Sequence, residues 1–197
     1  MQQGSPRELV EHARRGDERA FGQLVAAYQR TALAIAYAVV GESSAAADVT
    51  QDAMVRAWQR LEDLDDPDRF GPWLARIVRN LAHDHLRRKP RREVAQIDNQ
   101  KPADGSMRLV IDPAREVDRN ETRQTINTAL AELDETSRAA VALRYYEDMG
   151  SKEIGELLDL SPAAVDMRLS RARAQLREKL AGLNPVNSPD RNMKCPT

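Results

Sequence analysis

Helical periodicity runs along this chain in two stretches, separated by a segment that has none. Apolar residues recur at spacings of three and four up to about residue 89 and again from about residue 116. Residues 90–115 between them hold three prolines and a glycine among polar residues, a composition typical of a linker. No segment has the alternation of a strand. We therefore predict an all-α fold of two small helical domains, an N-terminal bundle and a C-terminal unit, joined by a flexible linker.

Capping residues set the predicted helix boundaries. We place the N-terminal domain at residues 5–89, the linker at 90–115, the C-terminal domain at 116–183 and a frayed tail at 184–197. Ser5-Pro6-Arg7-Glu8 reads as a capping box, Asp17 caps a second helix and Gly41 ends it. Further helices are expected at about Ser44–Leu61, from Phe70 to just before Pro90, from near Glu116, and at about Thr136–Tyr146, Ser151–Leu158 and Pro162–Leu183, with an acidic loop at Glu62–Arg69.

The formal net charge of −1 hides charges that are sorted along the chain. Residues 42–68 carry a net charge of −6 and residues 76–92 a net +6. Residues 132–166 again carry −6, and residues 168–179 carry +4. Each domain therefore pairs an acidic block with a basic one, which indicates two modules with differently charged faces.

The C-terminal segment from Ser151 to Arg173 has the form of a helix-turn-helix. Ser151 can cap the first helix, Gly155 permits close helix contact, and Ser161 with Pro162 starts the second helix. Three arginines lie off the apolar stripe of the second helix: Arg168, Arg171 and Arg173. Arginine suits guanine edges and phosphates, and recognition helices read bases near their N-termini. A solvated amphipathic helix pair is the alternative.

Two segments of the N-terminal domain stand out. In residues 45–60, Asp48 and Asp52 share a helix face with Gln51 and Arg56, beside a predicted buried side of Val49, Ala53 and Trp58. For this segment taken alone, a solvated face is the preferred explanation. Residues 70–89 combine basic side chains with Trp73, which suits a nucleic-acid backbone and base stacking. An ordinary helix with Trp73 in its core is the alternative.

Patterns for catalysis, metals or cofactors are weak. His83 and His85 lie about 200° apart on a helix and cannot converge on one ion. The acidic run at 63–68 lacks the glycine of a calcium loop, and Cys195, the one cysteine, has no placed histidine. There is no phosphate-binding glycine loop, no apolar signal region, and no apolar run that could insert into a membrane. We therefore expect a cytoplasmic protein that is not an enzyme and needs no cofactor.

Taken together, these segments resemble the extracytoplasmic-function (ECF) sigma factors of bacterial RNA polymerase, over roughly residues 8–89 and 116–182. The resemblance is carried, in order, by AFGQLVAAYQRTALAIAYAVVG, AADVTQDAMVRAWQRL, FGPWLARIVRNLAHDHLRRK and a helix-turn-helix ending in SRARAQLREKL. It implies a promoter-specificity subunit whose partners are core RNA polymerase, promoter DNA and, in many members, an anti-sigma protein clamped on the same faces.

The resemblance also implies roles for individual residues. Core polymerase would be bound by Asp48, Gln51, Asp52, Arg56 and Trp58. The −10 promoter element would be read and opened by Trp73, Arg76, Arg79, Asn80, His83, Asp84, Arg87 and Arg88, with the loop Leu61–Arg69 capturing a flipped base. The −35 element would be read by Ser161, Ala164, Asp166, Met167, Arg168, Ser170, Arg171 and Arg173.

Three features depart from the family pattern. Asp166 stands where the family often carries Lys or Arg, and an acid there would repel phosphate but could accept a hydrogen bond from cytosine. Ser170 removes an apolar base contact, and the acidic loop is more negative than a DNA-facing loop should be. Two other functions stay open: a stand-alone helix-turn-helix regulator that binds palindromic DNA unaided, and a helical adaptor that does not bind nucleic acid.

Overall fold

The computed structural model describes residues 5–88 and 125–181, and all regular structure in these residues is helical, as predicted. The N-terminal unit contains α1 (Pro6–Arg14), α2 (Glu18–Val40), α3 (Ser43–Gln59) and α4 (Phe70–Arg88), with short 3₁₀ turns at Leu61–Asp63 and Pro67–Arg69. In the C-terminal unit, residues 125–131 are helical and precede α5 (Glu135–Tyr146), α6 (Ser151–Leu158) and α7 (Pro162–Lys179). The predicted linker, the helix start near Glu116 and the tail lie outside the described residues.

The predicted caps of the first two helices are present. The Ser5 hydroxyl accepts from the Glu8 amide at 3.3 Å, and the Glu8 carboxylate accepts from the Ser5 amide at 2.8 Å. Asp17 accepts from the amides of the first turn of α2, and Gly41 ends that helix in the left-handed conformation at φ 74°. These predictions are confirmed because each cap depends on residues only a few positions away.

The N-terminal unit is built around α2, which packs against α1, α3 and α4. Its fully buried side chains include Val10, Leu24, Ile35, Phe70 and Val78. The acidic segment that we predicted as loop contains two 3₁₀ turns. It folds back because Leu61, Leu64 and Pro67 are buried at every third position, which leaves the intervening acids exposed.

Helices α6 and α7 form the predicted helix-turn-helix. Asp159 takes the left-handed conformation at φ 60°, and the Leu160 amide donates to the Gly155 carbonyl at 2.9 Å. Ser161 caps α7 by accepting from the Ala164 amide at 3.2 Å. The predicted cap of α6 is wrong by one residue: Gly150 is the N-cap, and Ser151 is the first helical residue.

The two helical units pack against each other, with α5 on α2 and α6 on α4. Arg138 Nε donates to the Ala38 carbonyl oxygen at 2.6 Å, and Arg30 Nε lies 3.2 Å from a Glu147 carboxylate oxygen. Buried apolar side chains from both units form one continuous cluster. The sequence predicted two domains but contained no signal for this contact.

Candidate polymerase and nucleic-acid interfaces

One face of α3 presents every residue that was expected to bind polymerase. The side chains of Asp48, Gln51, Asp52, Arg56 and Trp58 are all exposed. Trp58 is 37% exposed, with its ring centroid 4.8 Å from that of Phe21, so our prediction that it lies on the buried side with Val49 and Ala53 is wrong. Position 58 falls at the edge of the apolar stripe, so the side chain packs against Phe21 while part of it meets solvent.

Val55, which is 50% exposed, completes this face, and we did not predict it as a surface residue. It lies three residues before Trp58 and three after Asp52, so helical spacing alone could have placed it there. The face therefore combines two carboxylates, an amide and a guanidinium with two apolar side chains. Protein interfaces commonly join an apolar centre to a polar rim in this way.

Helix α4 carries the residues that were expected to contact the −10 element. Arg76, Asn80, Arg87 and Arg88 are exposed, whereas Trp73, Arg79, His83 and Asp84 are partly buried. The Trp73 ring centroid lies 5.9 Å from that of Phe70, and because Trp73 is only partly buried, part of its side chain lies outside the core. Three of these residues have partners within the chain: Arg87 pairs with Asp84, and His83 Nε2 lies 3.4 Å from a carboxylate oxygen of Glu135.

The N-terminal helix holds the acidic loop that precedes α4. Arg14 Nε donates to the Leu61 carbonyl oxygen at 3.2 Å, and another nitrogen of its guanidinium donates to the Leu64 carbonyl. Arg7 pairs with Asp68, and this hydrogen bond together with the charge of Asp68 raises the pKa of Arg7. Part of the loop's excess negative charge is therefore balanced by α1.

Most of the −35 candidates are exposed on α7: Ser161, Asp166, Met167, Ser170, Arg171 and Arg173. Ala164 and Arg168 are partly buried. Arg168 Nη1 lies 3.2 Å from the Asp134 carboxylate, which also caps α5. Partial burial raises the pKa of Asp134, but its bonds to Ser137 and the charge of Arg168 outweigh burial and lower that pKa overall.

Among residues 5–88 and 125–181, no helix is both long and apolar enough to cross a membrane. The same residues bring together no group of three or more histidine, cysteine or acidic side chains able to hold a metal ion. The described part of the chain instead presents exposed surfaces suited to binding other macromolecules. A helix-turn-helix with exposed arginines packs beside a helical bundle that presents an acidic–polar face and a basic, aromatic helix.

This combination is typical of a two-module DNA-binding protein, and comparison with known families identifies the family. The model for Sigma-70 region 2 matches residues 24–92, and that for Sigma-70, region 4 matches residues 123–176. The chain belongs to the ECF group of the sigma-70 family. It is a sigma subunit that directs transcription initiation.

Individual relatives agree with this assignment. The chain is 31% identical over 188 residues to the RNA polymerase sigma-H factor of Pseudomonas aeruginosa, covering 93% of this chain and 97% of that protein. It is 39% identical to the probable RNA polymerase sigma factor RfaY of Xanthomonas campestris, but spans only 42% of that protein's length. The solved structure of CnrH in complex with the cytosolic domain of CnrY matches with a TM-score of 0.65 and 31% identity, covering 92% of this chain and 100% of that one.

Proposed function

We propose that this sigma subunit divides its work among three surfaces. The exposed face of α3 binds core RNA polymerase, α4 with the preceding loop reads and opens the −10 element, and α7 reads the −35 element. The observation that carries this proposal is the separation of charge onto different helices. The α3 face holds two exposed carboxylates, whereas α4 and α7 expose arginines. Phosphate attracts the arginine-rich helices and repels the acidic face.

The partly exposed ring of Trp73 suits promoter opening. Unstacking a base step costs a few kcal/mol, and stacking a base on an aromatic ring returns about 1–3 kcal/mol. A ring already packed against Phe70 is held in place before the base arrives, so little side-chain entropy is lost on stacking.

The contact between the two helical units bears on how the promoter is engaged. Elements named −35 and −10 lie about 25 base pairs apart, or roughly 85 Å of B-form helix. Helix α6 packs directly on α4, so α7 and α4 cannot reach both elements while that contact persists. We infer that core polymerase separates the two units when it binds the sigma subunit.

We further propose that this chain carries out no chemistry itself, because polymerase performs the reaction, and that it acts in the cytoplasm with that enzyme. CnrH was solved with the cytosolic domain of CnrY, and a sigma factor RpoE that shares this fold was solved with the anti-sigma factor NepR. We extend this to an anti-sigma partner that covers the α3 and α4 faces.

Pull-down by core polymerase tests the α3 surface. Asp52→Ala should lower the captured fraction, because an exposed carboxylate at the centre of the face is lost. Asp65→Ala removes another exposed acid, from the loop, and serves as the matched control. Full retention of Asp52→Ala, or equal loss with the control, would refute the assignment.

DNA footprinting tests the competing functions, and run-off transcription tests the α7 surface. In footprinting, the wild-type protein should protect promoter DNA only with core polymerase, whereas a stand-alone regulator would bind DNA unaided and an adaptor would not bind it. Arg171→Ala should reduce −35-dependent transcripts far more than Arg177→Ala, an exposed arginine further along α7. Equal activity of the two variants would remove Arg171 from the reading surface.

A further inference from the structure

Asp166 lies one turn into the recognition helix, where an acid is the least expected residue on a DNA-reading surface. Its sequence position allowed two roles, repulsion of phosphate or acceptance of a hydrogen bond from cytosine. In the structure its carboxylate already has a partner in the same chain: the Ser151 hydroxyl donates to it. Asp166 is therefore bonded to the first residue of α6 before any DNA is present.

Ser151 is available for this bond because it does not cap its own helix. The N-cap position is taken by Gly150, whose amide donates to the Glu153 carboxylate at 2.7 Å. The Ser151 hydroxyl also accepts from Arg144 Nη2 at 2.6 Å. Arg144, Ser151 and Asp166 thus form a relay that joins α5, α6 and α7.

The position of the relay allows it to influence the orientation of α7. At the C-terminal end of α6, the Leu160 amide donates to the Gly155 carbonyl at 2.9 Å. This bond holds the turn that leads into α7. The relay lies at the other end of α6, which has eight residues and is about 12 Å long. Two fixed points, one at each end of α6, define the angle at which α7 leaves the helix-turn-helix.

We propose that Asp166 is a positioning residue for −35 recognition. Through Ser151 and Arg144 it sets the tilt of α7, and it specifies no base itself. This inference rests on the proposed role of α7 as the −35 reader. Base readout then falls to exposed residues with no described ion pair, chiefly Arg171 and Arg173. Arg144, one hydroxyl away, offsets the repulsion that a lone carboxylate would exert on phosphate.

The test uses the full chain with core polymerase on promoters that carry each single-base change in the −35 element. Ser151→Ala, Asp166→Ala and their double variant should each lower initiation about tenfold to a hundredfold, the range expected for one hydrogen bond to a charged group. The loss should be the same on every promoter, leave the ranking of bases unchanged, and be no greater in the double variant. Ser151→Thr, which keeps the hydroxyl, should retain activity.

Arg171→Ala provides the contrasting pattern, since loss of a base reader relaxes preference at one position. The proposal is overturned if Asp166→Ala relaxes preference at a single base pair, or if Ser151→Ala leaves initiation unchanged. If circular dichroism shows that Asp166→Ala does not fold, the comparison of initiation by Ser151→Ala and Ser151→Thr tests the proposal. Indifference of the wild-type holoenzyme to every −35 change would instead refute the role proposed for α7.

Discussion

The substitution Gly155→Ala tests how closely the two helices of the helix-turn-helix approach. Gly155 is buried in α6, where its α-carbon faces the turn that leads into α7. A β-carbon at this position would lie 2.5 Å from the Leu160 carbonyl oxygen and 3.7 Å from the Pro162 nitrogen. Both neighbours are backbone atoms, so neither can rotate away.

The size of the effect follows from opposing contributions. Overpacking against rigid atoms costs about 1–3 kcal/mol. Weakening the bond from the Leu160 amide to the Gly155 carbonyl costs about another 1 kcal/mol, while alanine gains about 1 kcal/mol over glycine inside a helix. The net loss of about 2 kcal/mol should lower the melting temperature by roughly 4–8 °C in a chain of this length.

Thermal unfolding followed by circular dichroism measures this loss, and hydrogen exchange at the Leu160 amide localises it to the turn. Gly22→Ala is the matched control. Gly22 lies in α2, and no atom outside the nearby backbone of that helix would lie within 4 Å of an added β-carbon. The same substitution should therefore stabilise the protein by up to about 1 kcal/mol. If Gly155→Ala melted at or above the wild-type temperature, the close approach at the turn would be refuted.

Three further substitutions test other contacts. Arg14→Ala removes both hydrogen bonds to the acidic loop and should lower the free energy of unfolding in urea by about 1–3 kcal/mol. An unchanged midpoint would contradict a stabilising role for these two bonds. Arg138→Ala removes the bond to the Ala38 carbonyl and should increase the radius of gyration of the free protein in small-angle scattering, whereas an unchanged radius would show that other contacts suffice. Asp134→Ala removes the cap of α5 and should cost about 1 kcal/mol at neutral pH. Because the folded-state pKa of Asp134 is lowered, its stabilisation is fully present above the unfolded pKa of about 3.9 and is lost as the pH falls through the lowered folded-state pKa. A loss on substitution that did not shrink between pH 7 and strongly acidic pH would oppose this assignment.

The sequence predicted the helices well wherever a boundary depends on nearby residues. Ser5, Asp17, Gly41 and Ser161 all act as predicted, because each bonds to amides or carbonyls within one turn of its own helix. Ser151 was misassigned for the opposite reason: its partners Arg144 and Asp166 lie 7 and 15 positions away. The exposure of Trp58 was also missed, because a residue at the edge of an apolar stripe is buried only if a neighbouring helix covers it.

By itself, then, the sequence determined an all-helical chain in two units, a helix-turn-helix with exposed arginines, and the order of motifs that marks the sigma family. These features rest on helical period and capping, which operate over three or four residues. Only the tertiary structure decided that the two units share one core, that Arg14 holds the acidic loop, and that Asp166 bonds to Ser151. Each of those contacts joins residues far apart in the chain, and their distance is set by how whole helices pack.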